Sequence, residues 1–443
     1  MPSTAAQTAD LKRELGLFDA TMINVGTMIA TAIFIVPAEV AAAVHGSALT
    51  ILVWVVGGAV SLLGALCVAE LGAAYPVAGG QYAYLGEAYG TLWGFLYGWT
   101  ALLVINPASI AAIAVGFARY LGFFVPLSEV WIRVTAILSV FALTALNYRG
   151  VRLGATTQNV LTSLKIGALA LLILTAFILP GGSFSNLAPL WPQESWRTLI
   201  GPFGLAMVAV LWAYDGWIET TYVGSEIKDP GRILPRSIIL STLLVIALYV
   251  LSSVAYSYVL SPSHMATSKL VASDAVQRTL GPSGAGLVAA AILISALGAN
   301  NGIILTSARI PYAMARQGLF FRAQGYVHPR YATPTVALVT QAVISSVLAA
   351  TGTYDALFTY VVFAEFLFYA LSAGAVLRLR RRAPELVRPY KAWGYPWTPI
   401  VFILIAALVV GNTIWNTPRE SAVGAGLIVL GLPGYWYWKK RAS

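Results

Sequence analysis

One carboxylate stands inside an apolar run at Leu211-Trp212-Ala213-Tyr214-Asp215-Gly216-Trp217, and one ammonium stands inside another at Leu164-Lys165-Ile166-Gly167. A third charge, Glu365, interrupts a later run, with no role assigned to it from its neighbours. Hydrocarbon tolerates neither bare charge nor free backbone groups, so these residues must face a polar cavity or a partner. A carboxylate, a glycine and three rings at that depth describe a binding site for a small charged solute. They do not describe bond-making chemistry, which needs a convergent nucleophile, base or metal set. His45, His264 and His328 fall at run ends or in loops, and no Cys or His spacing suits a metal. The lone Cys67 reads as a small buried hydrophobe. Neither a cofactor nor an enzyme is expected.

The elements that position these residues follow from composition. Of 443 residues 58% are hydrophobic and only 10% charged, with a mean hydropathy of +0.77; soluble domains carry roughly 25% charged residues. A bilayer core takes about 20 apolar residues per helix, and runs of that order number about twelve. They lie near Leu17 to Val44, Ala48 to Ala74, Gly90 to Leu121, Trp131 to Leu146, Thr157 to Leu179 and Leu199 to Val223. The rest lie near Ser237 to Val259, Gly286 to Met314, Pro334 to Ala350, Leu357 to Leu379, Trp397 to Trp415 and Ala422 to Trp438. No cleavable signal peptide is expected, because the first run is too long for one and lacks a small-residue cleavage site.

An even number of spans puts both ends on one side. Twenty of the 27 Lys and Arg residues fall on the terminus-bearing face by this assignment, six fall opposite, and Lys165 lies within the bilayer. That asymmetry makes both termini cytoplasmic. The net charge of +10 then reflects orientation and anionic headgroups, and nucleic acid is not an expected partner. Tryptophans such as Trp191, Trp196, Trp397, Trp415, Trp436 and Trp438 read as interfacial anchors. Gly57, Gly58, Gly64 and Gly72 read as close-packing positions between helices.

A weak internal repeat ties these elements to the site. Span one is interrupted by polar and small residues at 24–34 and span six by the Asp215 segment, five spans apart. An odd-numbered unit repeated in series is inverted in the membrane, and discontinuous helices at matching places mark midplane substrate sites. Each break exposes N–H groups at one half-helix and C=O groups at another, which suits a zwitterion. The expected organisation is a terminal segment at 1–16, a first repeat at 17–180, a second at 181–380, two further spans at 381–438 and a tail at 439–443.

The chain resembles amino acid–polyamine–organocation transporters, particularly bacterial relatives of L-type amino acid transporter light chains. The resemblance rests on Glu14-Leu15-Gly16-Leu17, Val25-Gly26-Thr27-Met28-Ile29 with Ile33-Phe34, and Glu70-Leu71 with Tyr75-Pro76 and Gly79-Gly80. It continues through Ala213-Tyr214-Asp215-Gly216-Trp217, Gly224-Ser225-Glu226-Ile227-Lys228-Asp229-Pro230 with Leu234-Pro235, Asn301-Gly302 with Thr306-Ser307-Ala308-Arg309, and Arg388-Pro389-Tyr390-Lys391 with Trp393-Gly394-Tyr395-Pro396.

That resemblance implies an all-α, LeuT-like 5+5 inverted repeat with two added helices, working by alternating access on amino acids. It places a substrate carboxylate at the amides of Ala30, Thr31 and Ala32, and an α-amino group at carbonyls around Met28, Trp212, Ala213 and Asp215, with Trp212 as outer gate. The family usually carries glycines where Ala30 and Ala32 stand, so restricted backbone and a crowded carboxylate site are expected. Asp215 has two readings: attraction of an ammonium group, or a cap on the second half of span six. Lys165 is expected where sodium sits in sodium-coupled relatives, bridging spans one and eight. It would be a fixed tether in an exchanger or uniporter, or a proton carrier in a symporter. Where the relatives offer a span-eight serine this chain has Ile303, so Thr306, Ser307, Asn300 or a backbone carbonyl must answer Lys165. Neutral L-amino acids are the expected substrates because no acidic cluster beyond Asp215 is evident; cationic amino acids or polyamines are the alternative. The loop around Phe123 to Glu129 lacks the cysteine by which eukaryotic light chains join a glycoprotein, so no disulfide-linked heavy chain is expected.

Overall fold

The computed structural model describes residues 10–192, 194–352 and 354–442, with only the backbone path of Trp196, 354–360 and Ala442. Residues 1–9 of the terminal segment and residue 443 of the tail lie outside the described residues. The described chain is helical apart from isolated bridges. Eight helices are long and apolar enough to cross a membrane, and the pair Leu17–Met28 and Ala32–Val44, bent by 45° at its break, is a ninth passage. The shorter helices Trp196–Ala213 and Thr335–Thr351, with the pair Pro418–Val429 and Gly431–Ala442, bring the passages to twelve. Helices therefore occupy the apolar runs, shifted by several residues in places: span five begins at Val151, six residues before its expected start.

Spans three, four, eight and nine share one apolar cluster, built from Ile110, Val140, Ile304 and Leu338 among others. A larger cluster joins spans one, two, six, seven and ten, with contributions from spans three, five, eight, eleven and twelve. Glycines let backbones approach, as expected: a Cβ on Gly57 would stand 2.5 Å from Val210 Cγ1, and one on Gly58 would stand 2.8 Å from Ile246 Cγ1. Span three carries a π-helical turn at Ala101–Ile105, just before Asn106-Pro107. Proline cannot donate and crowds the preceding turn. Here the Asn106 side chain answers the Ala101 carbonyl at 3.0 Å.

Span six departs from the two half-helices expected. Its helix ends at Ala213, and beyond Gly216, at φ 112°, come only turns and two short 3₁₀ segments, Glu219–Thr221 and Gly224–Glu226. No second half-helix exists for Asp215 to cap. Irregular backbone at this depth survives because neighbours answer it. Asn24 Oδ1 accepts from the Thr220 N–H at 2.9 Å, the Tyr222 carbonyl accepts from Gly79 N–H at 2.9 Å, and Thr27 Oγ1 donates to the Gly216 carbonyl at 3.2 Å.

At the terminus-bearing face the start of span one is stitched to the end of span six. Glu14 and Leu15 N–H groups donate to the Glu226 carbonyl at 2.9 and 3.0 Å, and Lys228 N–H donates to the Leu15 carbonyl at 3.0 Å. Both ends of the described chain lie on this face, for the segment after span eight meets Asp10 through Arg316 and Trp438 through Phe320. Arg309, counted among loop cations from sequence, is instead buried: its guanidinium forks onto Glu226 at 2.7 and 3.0 Å and also donates to the Leu305 carbonyl. Glu70 is held likewise by Arg380 at 2.8 and 2.5 Å, by the Ala392 N–H at 2.7 Å and by Arg388 at 3.5 Å. Trp191, Trp397, Trp415 and Trp436 are exposed as anchors should be, whereas Trp438 packs on Phe95 and Phe320. The side chain of Trp196 lies outside the described residues.

Breaking one side of a buried ion pair strands the other charge, at about 3–5 kcal/mol. Glu226→Gln is therefore expected to lower the thermal unfolding midpoint sharply in detergent. Glu226→Gln with Arg309→Met should recover much of that loss, and a double variant as unstable as the sum of its singles would contradict the pairing.

Candidate functional site

The opening in span one supplies donors. Its first helix ends at Met28 and its second begins at Ala32, and the N–H groups of Thr31, Ala32 and Ile33 donate to no carbonyl among the described residues. Three such amides at a helix start are an anion cradle. The alanines cause no backbone strain, because the break uses ordinary dihedrals: Ile29 has φ −78° and Thr31 φ −86°, and neither Ala30 nor Ala32 has positive φ. The expected backbone restriction at Ala30 and Ala32 therefore does not arise.

The carbonyls at the same break are largely committed. Met28 O accepts from Ala30 N–H at 2.9 Å and from Tyr249 Oη at 2.8 Å. Lys165 stands midway along span five, fully buried, and its Nζ donates to Gly26 O at 2.6 Å and Ile29 O at 2.8 Å. Ser295 of span eight adds its hydroxyl to Ile29 O and Ala30 O at 3.0 and 2.8 Å. Span eight approaches the lysine at Gly298, where a Cβ would lie 2.5 Å from Lys165 Cε and 2.9 Å from Nζ.

The backbone carbonyl is thus the group that answers Lys165, and the hydroxyls offered as alternatives point elsewhere. Thr306 donates to a Glu219 carboxylate oxygen, Ser307 to Gln341 Oε1 at 2.7 Å, and Asn300 to Ile110 O at 3.2 Å. Thr306 instead joins span eight to span six.

In span six, Trp212 O accepts from Asp215 N–H at 3.0 Å, while Ala213 O takes no backbone N–H among the described residues. Asp215 accepts a 2.6 Å hydrogen bond from Tyr369 Oη of span ten and is also answered by the Gly216 backbone N–H, so its carboxylate ties the break in span six to span ten. Gly216 is required where it stands: besides its positive φ, a Cβ would lie 2.9 Å from Met28 N and 3.0 Å from Thr27 Oγ1. Trp212 is half-buried, whereas Ala213 and Tyr214 beside it in the chain are buried.

Asp215 is not the only acid. Glu219, four residues later and overlooked in the sequence, bonds Thr306, and Glu365 lies within electrostatic reach of both carboxylates. No Lys, Arg or His pairs with any of the three among the described residues, in contrast to Glu70 and Glu226. The Tyr97–Tyr222 hydroxyl pair, 2.7 Å apart, borders the same cluster. Glu219 could have been found from the sequence as a second carboxylate four residues past Asp215; Tyr249, Ser295 and Tyr369 carry no such signal, each being one polar residue in an otherwise apolar helix.

A scan of family models matches residues 15–437 to the amino acid permease family. Among curated relatives, the mouse (Mus musculus) b(0,+)-type amino acid transporter 1 is 32% identical over 100% of this chain and 92% of its own length. The human (Homo sapiens) large neutral amino acids transporter small subunit 2 is 33% identical over 97% of this chain and 82% of its own. The serine/threonine exchanger SteT of Bacillus subtilis (strain 168) is 31% identical over 98% of each chain. With a polytopic helical fold, a break in each of spans one and six and a match over nearly its full length, the chain belongs to the amino acid permease family.

Proposed function

We propose that the protein exchanges amino acids across the cytoplasmic membrane by alternating access, both termini cytoplasmic, with neutral L-amino acids as the leading substrates. The observation that carries the exchange reading is the Lys165 tether. Carbonyls at the end of a half-helix form a cation site; here Gly26 O and Ile29 O hold a covalently attached ammonium. A fixed charge cannot move with substrate, so no ion gradient enters the cycle. The substrate carboxylate meets the free amides of Thr31, Ala32 and Ile33 beside Ala30, and its ammonium meets Ala213 O and the Asp215 region. Met28 and Trp212 shape the same pocket, their carbonyls being engaged within the protein. Thr306 and Ser307 act on span eight, the first by carrying Glu219 with it. The names of the relatives, an exchanger and a neutral transporter among them, support this reading.

A second reading, transport of cationic amino acids, is favoured by one observation. Asp215, Glu219 and Glu365 gather with no paired cation among the described residues, and buried carboxylates need either protons or a positive partner. A side-chain ammonium or guanidinium would supply that partner, and a b(0,+)-type relative keeps the reading in play.

Purified protein in liposomes, loaded inside with unlabelled amino acid and offered labelled substrate, separates these outcomes. Counterflow indifferent to a pH gradient supports exchange; uptake driven by inward protons and abolished in Lys165→Ala would make the protein a symporter. Removing two charge-assisted hydrogen bonds, each of about 1.5–3 kcal/mol, means Lys165→Met should slow counterflow by roughly two orders of magnitude. Gly298→Ala, which pushes a methyl onto Lys165, should slow it in the same direction while leaving every polar group intact.

Specificity has its own readout. Asp215→Asn and Glu219→Gln should leave neutral-substrate counterflow measurable; if they abolish uptake of lysine and arginine while sparing neutral amino acids, the cationic reading replaces the neutral one.

A further inference from the structure

Four cations at the terminus-bearing face are answered by acids: Arg309 by Glu226, Arg380 and Arg388 by Glu70, Arg316 by Asp10. Among the cations without such a partner, Lys12, Arg149, Arg152 and Arg330 are gathered in one recess of about 430 Å³ between the segment before span one, the joint of spans four and five, and the joint of spans eight and nine. None of them forms an ion pair among the described residues, and all four are exposed. Glu14 is the one acid in the lining. Like charges collected in a recess repel unless an anion sits among them.

The recess opens into a second space of different character. A groove of about 280 Å³, lined by Phe141, Thr144, Ala145, Tyr148 and Val339, shares Arg149 and Tyr331 with it. Residues 141, 144, 145 and 148 recur at helical spacing on one face of span four. The apolar track runs deeper along both walls, through Leu138 on span four and Val343 and Val347 on span nine, each more than 45% exposed. From Arg149 to Leu138 is about 16 Å at 1.5 Å per residue, close to one leaflet of a core about 30 Å thick.

A basic recess at the headgroup level that continues into a one-leaflet apolar track matches a single kind of molecule. We propose that recess and groove together bind one anionic phospholipid of the terminus-bearing leaflet, its phosphate among Lys12, Arg149, Arg152 and Arg330 and one acyl chain between spans four and nine. The bound phosphate ties the segment entering the broken span one to the body formed by spans three, four, eight and nine. The lipid is therefore a removable cross-link between the element that carries the carboxylate cradle and the scaffold it moves against.

The test is native mass spectrometry of the full chain in mild detergent, titrated with dioleoyl phosphatidylglycerol or dioleoyl phosphatidylcholine, with inorganic phosphate as competitor. The expected result is preferential retention of phosphatidylglycerol, weakened roughly fivefold for each arginine replaced in Arg149→Ala, Arg152→Ala and Arg330→Ala. Ala145→Trp fills the groove and keeps every charge, so it should weaken phosphatidylglycerol binding as well; it also carries the test if the triple arginine variant does not fold. Equal retention of the two lipids, or phosphatidylglycerol binding unchanged in these variants, overturns the proposal. Displacement by millimolar phosphate, with Ala145→Trp without effect, would assign the recess to a soluble anion and overturn it too.

Discussion

A helix opened inside a bilayer must have its freed backbone groups answered from within the protein, and this requirement organises the centre of the molecule. In span one the carbonyls of Gly26, Met28, Ile29 and Ala30 are met by Lys165, Tyr249 and Ser295, three side chains from three other spans. The amides of Thr31, Ala32 and Ile33 on the other side of the break donate to no carbonyl among the described residues. The break is thus asymmetric: its carbonyls hold a built-in ammonium, and its N–H groups are left without an acceptor among the described residues. An unpaired buried acceptor costs about 1–3 kcal/mol, so each of these side chains stabilises the open conformation of the break that substrate requires.

Charge elsewhere divides by the same rule. Glu70 and Glu226 lie buried with arginines forked onto them and act as structural joints, one tying span two to span ten and to the segment before span eleven, the other tying the end of span six to span eight. Asp215 is answered by the Tyr369 hydroxyl and the Gly216 N–H and Glu219 by the Thr306 hydroxyl, and none of Asp215, Glu219 and Glu365 pairs with a cation among the described residues. Fixed pairs fasten; unpaired groups are free to respond to what enters. This contrast is the physical basis for locating specificity in the carboxylate cluster and rigidity in the ion pairs. Glu219 joins the cluster to span eight through its bond to Thr306.

The sequence alone determined the membrane setting, the twelve runs and the two places where helices must fail, because hydrophobic length and a charge or glycine in mid-span are local properties that tertiary contact does not rewrite. Asp215, Lys165 and the Ala30–Ala32 opening were legible for that reason. Tertiary structure alone decided partnership. Whether Lys165 met a hydroxyl or a carbonyl depended on the side to which span five turned it, and Gly298, unremarkable in sequence, proved to be the clearance that lets it lie there. The second half of span six stayed irregular because Asn24, Gly79 and Thr27, distant in the chain, took up its hydrogen bonds. Arg309, one more basic residue near a span end by its position, became a buried joint only because span eight delivers it to Glu226. Hydrophobic patterning fixes which segments enter the membrane; which polar group meets which is a property of the packed bundle, since the partners lie as many as 344 residues apart.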